Sequence, residues 1–117
     1  MKDVTSKKPL IEFSDFEKVD IRTGMIVDAI EFENAKKPAF KLYIDFGDLG
    51  ILKTSAQITD HYSIEDLIGN QIIAVVNFPP KQIADFMSEC LVLGVLGKKG
   101  IVLLSTEQKT PNGLKIG

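Results

Sequence analysis

The run "FKLYIDF" alternates strictly, with Phe40, Leu42, Ile44 and Phe46 on one side and Lys41, Tyr43 and Asp45 on the other. Successive strand side chains point to opposite faces, so this pattern predicts a half-buried antiparallel strand with its aromatic and branched residues inward. Residues 20–33, "DIRTGMIVDAIEFE", are apolar on both faces: Met25, Val27 and Ala29 share one, and Ile26, Ile30 and Phe32 share the other. Such a strand, with Gly24 inside it, suits a chain that must bend or bulge to serve two sheets curling over one core. "ILKTSA" predicts a third strand and "QIIAVVNF", rich in β-branched residues, a central one. "CLVLGV" and "IVLLS" predict two more strands, joined by the hairpin-like "LGKKG".

Two short helices punctuate this series. Ser14 followed by Glu17 fits a capping box, which predicts a helix over "SDFEK", pinned to the body by Phe13, Phe16 and Val19. Ser63 ahead of Asp66 predicts a second helical turn between the third and fourth strands, ended by Gly69. Residues 1–12 lack a period and are expected to be a flexible arm, with residues 13–117 as one domain. Together these elements predict an all-β protein, a five-stranded Greek-key barrel of the OB type with a C-terminal strand extension. The nearest rival is an SH3-like barrel.

At 117 residues, 44% hydrophobic and 26% charged, the chain has the composition of a folded soluble domain. No apolar stretch of signal-peptide or membrane-span length is present, which predicts a cytoplasmic protein with no membrane insertion. Fourteen Lys plus Arg oppose sixteen Asp plus Glu, so any contact with nucleic acid must be local. Arg22 is the only arginine, which leaves little bidentate readout of bases and favours recognition of shape.

Catalytic chemistry is hard to assemble. Cys90 and His61 are single and far apart, so no metal site is expected, and Cys90, inside "SECLVLGV", belongs in the core. Ser55, Asp60 and His61 could be imagined as a triad, but adjacent residues point in different directions and His61 fits a solvent-facing loop. There is no phosphate loop, nucleophile elbow or dinucleotide fingerprint. The protein is expected to be no enzyme and to need no cofactor.

"VDIRTGMIV", "KTSAQIT", "AVVNFPPKQIADFMSECLVLG" and "TPNGLKIG" resemble, in order and spacing, the tRNA-binding domain family, from about Phe13 to Gly117. That family includes appended domains of methionyl-tRNA synthetases, stand-alone tRNA-binding proteins and the CsaA secretion chaperones, and "SAQIT" with "NFPPK" looks most like the last group. The resemblance implies an OB barrel that forms a homodimer through its N-terminal helix and C-terminal strands. It implies two partners, tRNA or another structured RNA, and unfolded or export-destined polypeptide.

Carried over by position, the family's RNA-binding loop falls on Asn77, Lys81 and Ser88 with Phe86 beside them, and Lys36, Lys37 and Lys53 supply further charge. Lysine suits phosphate, an amide and a hydroxyl suit sugar or base edges, and an aromatic face suits stacking. Asp85 stands where RNA-binding members commonly have glycine, Ala84 where many have a basic residue and Leu91 where methionine is usual, which implies weaker RNA binding. Phe78, Pro80, Ile83, Phe86 and Met87 could instead present an apolar patch to unfolded chains, Phe86 and Met87 having the alternative of plugging the barrel end. Asp20 and Arg22, in "DIR", are expected to pair and fix the entry of the first strand.

Overall fold

The structure is a computed structural model that describes residues 6–117. In chain order its strands are β1 (Ile21–Glu31), β2 (Phe40–Asp45), β3 (Ile51–Ala56), β4 (Gln71–Val75), β5 (Lys81–Ile83), β6 (Phe86–Ser88), β7 (Leu91–Val92), β8 (Gly94–Gly97) and β9 (Gly100–Leu103). A five-stranded antiparallel sheet runs β3-β2-β1-β4-β7, while β5–β6 and β8–β9 form two hairpins. The sheet curls until its edges meet. The amide of Glu89 donates to the carbonyl of Lys53 at 2.8 Å, and Thr54 Oγ1 donates to the carbonyl of Cys90 at 2.7 Å. The result is the nearly closed OB-type barrel that the strand pattern predicts.

The bend in β1 is a bulge. Residues 21–25 pair with β4 and residues 25–31 with β2, and the register shifts between Ile26 and Asp28. The extra residue, Val27, breaks the strict alternation expected from the sequence: Ile26 and Ala29 both enter the core, while Val27 and Ile30 face out. Gly24 serves a different purpose from the expected one. A Cβ there would stand 2.7 Å from both Ile44 and Phe46 side chains, so the bare backbone lets β2 pack close.

The alternation along β2 is as expected, with Phe40, Leu42, Ile44 and Phe46 buried. They meet Ile26, Ile72, Ala74 and Cys90, and Leu67 of α2 (Ile64–Leu67) and Ile58 pack into the same cluster. Ser63 caps α2, accepting a hydrogen bond from the amide of Asp66. Burial of seven large aliphatic and aromatic side chains at under 2% exposure supplies the main driving force, each contributing about 1.5–3 kcal/mol relative to exposure.

The N-terminal helix departs from expectation in its cap and its contacts. α1 spans Phe13–Glu17, so Ser14 lies inside it, and Asp15 Oδ2 accepts from the amide of Glu12, one turn back. Phe13 and Phe16 pack on each other, ring centroids 6.1 Å apart, and remain largely exposed. Residues 6–12 are exposed and outside any helix or strand; the first five residues of the expected arm lie outside the described residues. The C-terminal segment takes the stretch of β1 edge that β2 leaves free. Gly113 N and Ile116 N donate to the carbonyls of Thr23 and Ile21, and Thr23 N donates to that of Leu114. No helix among the described residues is long and apolar enough to cross a membrane.

Candidate nucleic-acid and polypeptide interface

The segment between β4 and β7, which the sequence leaves as a loop, folds into the β5–β6 hairpin. Cross-strand pairing of Lys81 with Ser88 and of Ile83 with Phe86 puts these four residues on one face, and Gln82 and Met87 on the other. Its two-residue turn is Ala84–Asp85, and Ala84 holds φ +53°, as the first position of a primed turn requires. Gln82 Nε2 donates to the Ala84 carbonyl at 3.1 Å, and Asn34 Nδ2 donates to Asp85 Oδ2 at 2.9 Å. The second bond ties the hairpin tip to the β1–β2 loop. Asp85, expected to repel phosphate, is therefore engaged by an amide.

Between hairpin and loop lies a cleft of about 850 Å³. Ala35, Ala39, Phe78, Ile83 and Leu91 give it apolar walls, and Lys36, Lys37 and Lys81 bring three ammoniums to it against the one carboxylate of Glu89. That carboxylate accepts from the amide of Lys53 at 3.0 Å. Ser88 Oγ accepts from the amide of Ser55 at 3.0 Å and lies 3.1 Å from Ser55 Oγ. With one acceptor position filled and one bond shared, whichever hydroxyl donates to the other leaves one O–H unspent in the pair.

The structure thus brings together Lys36, Lys37, Phe78, Lys81, Ile83 and Ser88, and separates the rest of the expected set. Asn77 belongs elsewhere: its Oδ1 accepts from the amide of Asp20 and its Nδ2 donates to the carbonyl of Lys18, pinning the α1–β1 junction. Pro80 is exposed but off the cleft wall, and Met87 is exposed on the far face of the hairpin. Phe86 requires correction. It is only 6% exposed, packed against Phe32 at 5.5 Å in an edge-on arrangement with Ala39 and Ile83 nearby, so its ring offers no free face to a base or a peptide. The reason is the pairing with Ile83, which turns both side chains under the hairpin.

Lys53 lies off the cleft, its Nζ 5.1 Å from the Phe86 ring centroid. Lys41, which the sequence places outward without assigning it a role, brings its Nζ to 5.0 Å from the same ring. The signal was its position in β2 directly opposite Ser55 of β3, which cannot be read before the register is known.

Three further sites behave as chemistry dictates. Arg22 Nε donates to Asp20 Oδ1 at 2.6 Å, and the hydrogen bond holds the Asp20 carboxyl below its ordinary range. Arg22 Nη1 also donates to the carbonyl of Gly113, joining strand entry to tail. Burial pushes the Cys90 thiol up to about 12, so it stays protonated. His61 is exposed beside Gly100, whereas Ser55 is bonded to Ser88, and no hydrogen bond among the described residues links the imagined triad.

Comparison with known proteins adds a lineage to this geometry. A family described as a putative tRNA binding domain matches residues 21–115. The crystal structure of chaperone CsaA from Bacillus anthracis superposes with a TM-score of 0.89 at 52% identity, covering 93% of this chain and 100% of that one. That of CsaA chaperone protein from Picrophilus torridus gives 0.88 at 51%, covering 92% and 100%. Methionine–tRNA ligase of Protochlamydia amoebophila is 34% identical over 109 residues, 92% of this chain but only 15% of the ligase.

Proposed function

Because this chain belongs to the putative tRNA-binding domain family, we propose that it is a cytoplasmic, non-enzymatic export chaperone of the CsaA kind. It holds extended segments of unfolded or export-destined polypeptide and also binds tRNA. The observation that carries the polypeptide half is the cleft, whose walls are mostly apolar and whose floor keeps a free hydroxyl proton for a peptide carbonyl. The chaperones of B. anthracis and P. torridus, at about half identity over nearly the whole chain, support the same reading.

The RNA half rests on family membership and on Lys36, Lys37 and Lys81 at the cleft, exposed and free to pair with phosphate. A second copy of the chain covers the exposed apolar side chains of residues 10–16 and of the β8–β9 hairpin, where Leu96 is 86% exposed, giving a homodimer.

An aggregation assay tests the polypeptide half. A chemically unfolded client diluted into buffer should scatter less light in the presence of the protein, and Phe78→Ser should weaken the protection; unchanged aggregation with the wild type overturns it. For the RNA half, tRNA should bind with an affinity that falls steeply with added salt. Absence of binding at low salt overturns that half and leaves the other standing.

A further inference from the structure

The cleft combines two features that an internal stretch of unfolded chain uses poorly. Ala35, Ala39, Phe78, Ile83 and Leu91 make its walls apolar, yet Lys36, Lys37 and Lys81 line the same space. All three lysines are exposed, and the ion pairs among the described residues, Lys18–Asp15 and Arg22–Asp20, involve none of them. Glu89, the one carboxylate among the lining residues, accepts from the amide of Lys53, and Asp85 at the hairpin tip accepts from Asn34. Three ammoniums beside apolar surface are thus left without an internal counter-charge. Their complement is an anion joined directly to an apolar group.

A polypeptide offers that combination at one place. On its last residue the carboxylate and the side chain hang from the same Cα, so an apolar last residue meets the walls while its carboxylate meets the ammoniums. An internal Asp or Glu gives up the apolar side chain to carry the charge, and an internal Leu or Phe leaves the lysines unpaired. The hairpin adds a second contact at a matching distance. Lys81 lies directly across from Ser88, whose hydroxyl is 3.1 Å from that of Ser55 and shares with it one unspent proton. Cross-strand neighbours stand roughly 5 Å apart. In an extended chain the terminal carboxylate follows the last peptide carbonyl by one residue, about 3.4 Å, and the flexible lysine stem spans the difference. The cleft volume of about 850 Å³ accommodates a chain end of a few residues.

We infer that the cleft seats the free C-terminus of a client polypeptide whose last residue is apolar. The carboxylate lies among Lys36, Lys37 and Lys81, the last side chain lies against the apolar walls, and the last peptide carbonyl accepts from the Ser55–Ser88 pair. This deepens the polypeptide half of the proposed function and rests on it.

The test is fluorescence anisotropy of labelled peptides of one sequence ending in Leu, titrated with the full chain. The free-acid form should bind about fivefold or more tightly than the C-terminally amidated form. A third peptide, amidated but carrying an internal Asp, has the net charge of the free acid and should bind like the amide. Lys81→Gln, and Lys36→Gln with Lys37→Gln, should narrow the gap between acid and amide, whereas Lys81→Arg should keep it. Three results overturn the terminal seat: equal affinity for acid and amide, tight binding of the internal-Asp peptide, or no binding of the free acid at about 1 mM. Protection of the unfolded client in the aggregation assay is read separately. If protection persists while acid and amide bind alike, the seat falls and the polypeptide half stands; if protection is absent, both fall.

Discussion

Ala84 occupies a backbone conformation that disfavours any residue with a Cβ, at φ +53° in the tip of the β5–β6 hairpin. Ala84→Gly should therefore stabilise the fold by about 1 kcal/mol, measured by urea unfolding, even after glycine's greater entropy in the unfolded chain is counted. Gly113→Ala should do the opposite. Its φ is +87° and a new Cβ would stand 2.2 Å from the Phe46 carbonyl oxygen, so a loss of about 2 kcal/mol or more is expected in the same measurement.

Asp20 gives a pH dependence of known sign. Its carboxyl titrates below the ordinary 3.8 because the hydrogen bond with Arg22 favours the charged form. A lowered folded value stabilises above the unfolded value and is lost as pH falls through the folded one. Acid unfolding below pH 3.8 should thus be shallower in Asp20→Asn than in the wild type, and equal slopes would contradict this. Cys90 has the mirror-image sign: its thiol ionises in the unfolded chain near 9 but in the fold only near 12, so stability falls as pH rises above 9.

At the scale of elements, what could be read from the sequence followed the length of the repeat. β2 shows six residues of clean alternation and β4 is a run of β-branched residues; both were legible. β5 and β6 have three residues each, too few to establish a period, and their turn lacks the glycine or asparagine that marks a primed hairpin. The bulge at Val27 was hinted at by two apolar faces, but its position was not, because only the competing pairings with β2 and β4 fix it. The site suffered the same way. Lys81 and Ser88 were assigned from the family resemblance of their segment, whereas the burial of Phe86 and the place of Lys41 depend on which residues the hairpin and sheet set opposite each other.

Asn34 and Asp85 make an element-scale prediction as well. Their bond is exposed and joins two turns, so Asn34→Ala should leave the unfolding free energy within about 0.5 kcal/mol of wild type. Amide exchange should nevertheless quicken in the β5–β6 hairpin.

For the molecule as a whole, the apolar side chains left outside the barrel are the surface on which the proposed dimer rests. Light scattering at micromolar concentration should give twice the chain mass, and Leu96→Glu should shift it toward the single chain; monomer mass in the wild type would contradict the proposed dimer. With a formal net charge of −2, the protein gains no long-range attraction to RNA, so its association with tRNA should be set by local lysines and stay below the rates of electrostatically steered encounters.

The stitching of residues 113–116 along the start of β1 has a consequence for biogenesis. Thr23 Oγ1 accepts from the amide of Leu114 across 91 residues of sequence, and Arg22 reaches Gly113 over the same span. During translation, β1 can pair with β2 and then β4 as each leaves the ribosome, yet its remaining edge stays bare until the last of these partners clears the exit tunnel. The nascent barrel therefore waits, half-stitched, for a seam that closes only once residues 113–116 have emerged.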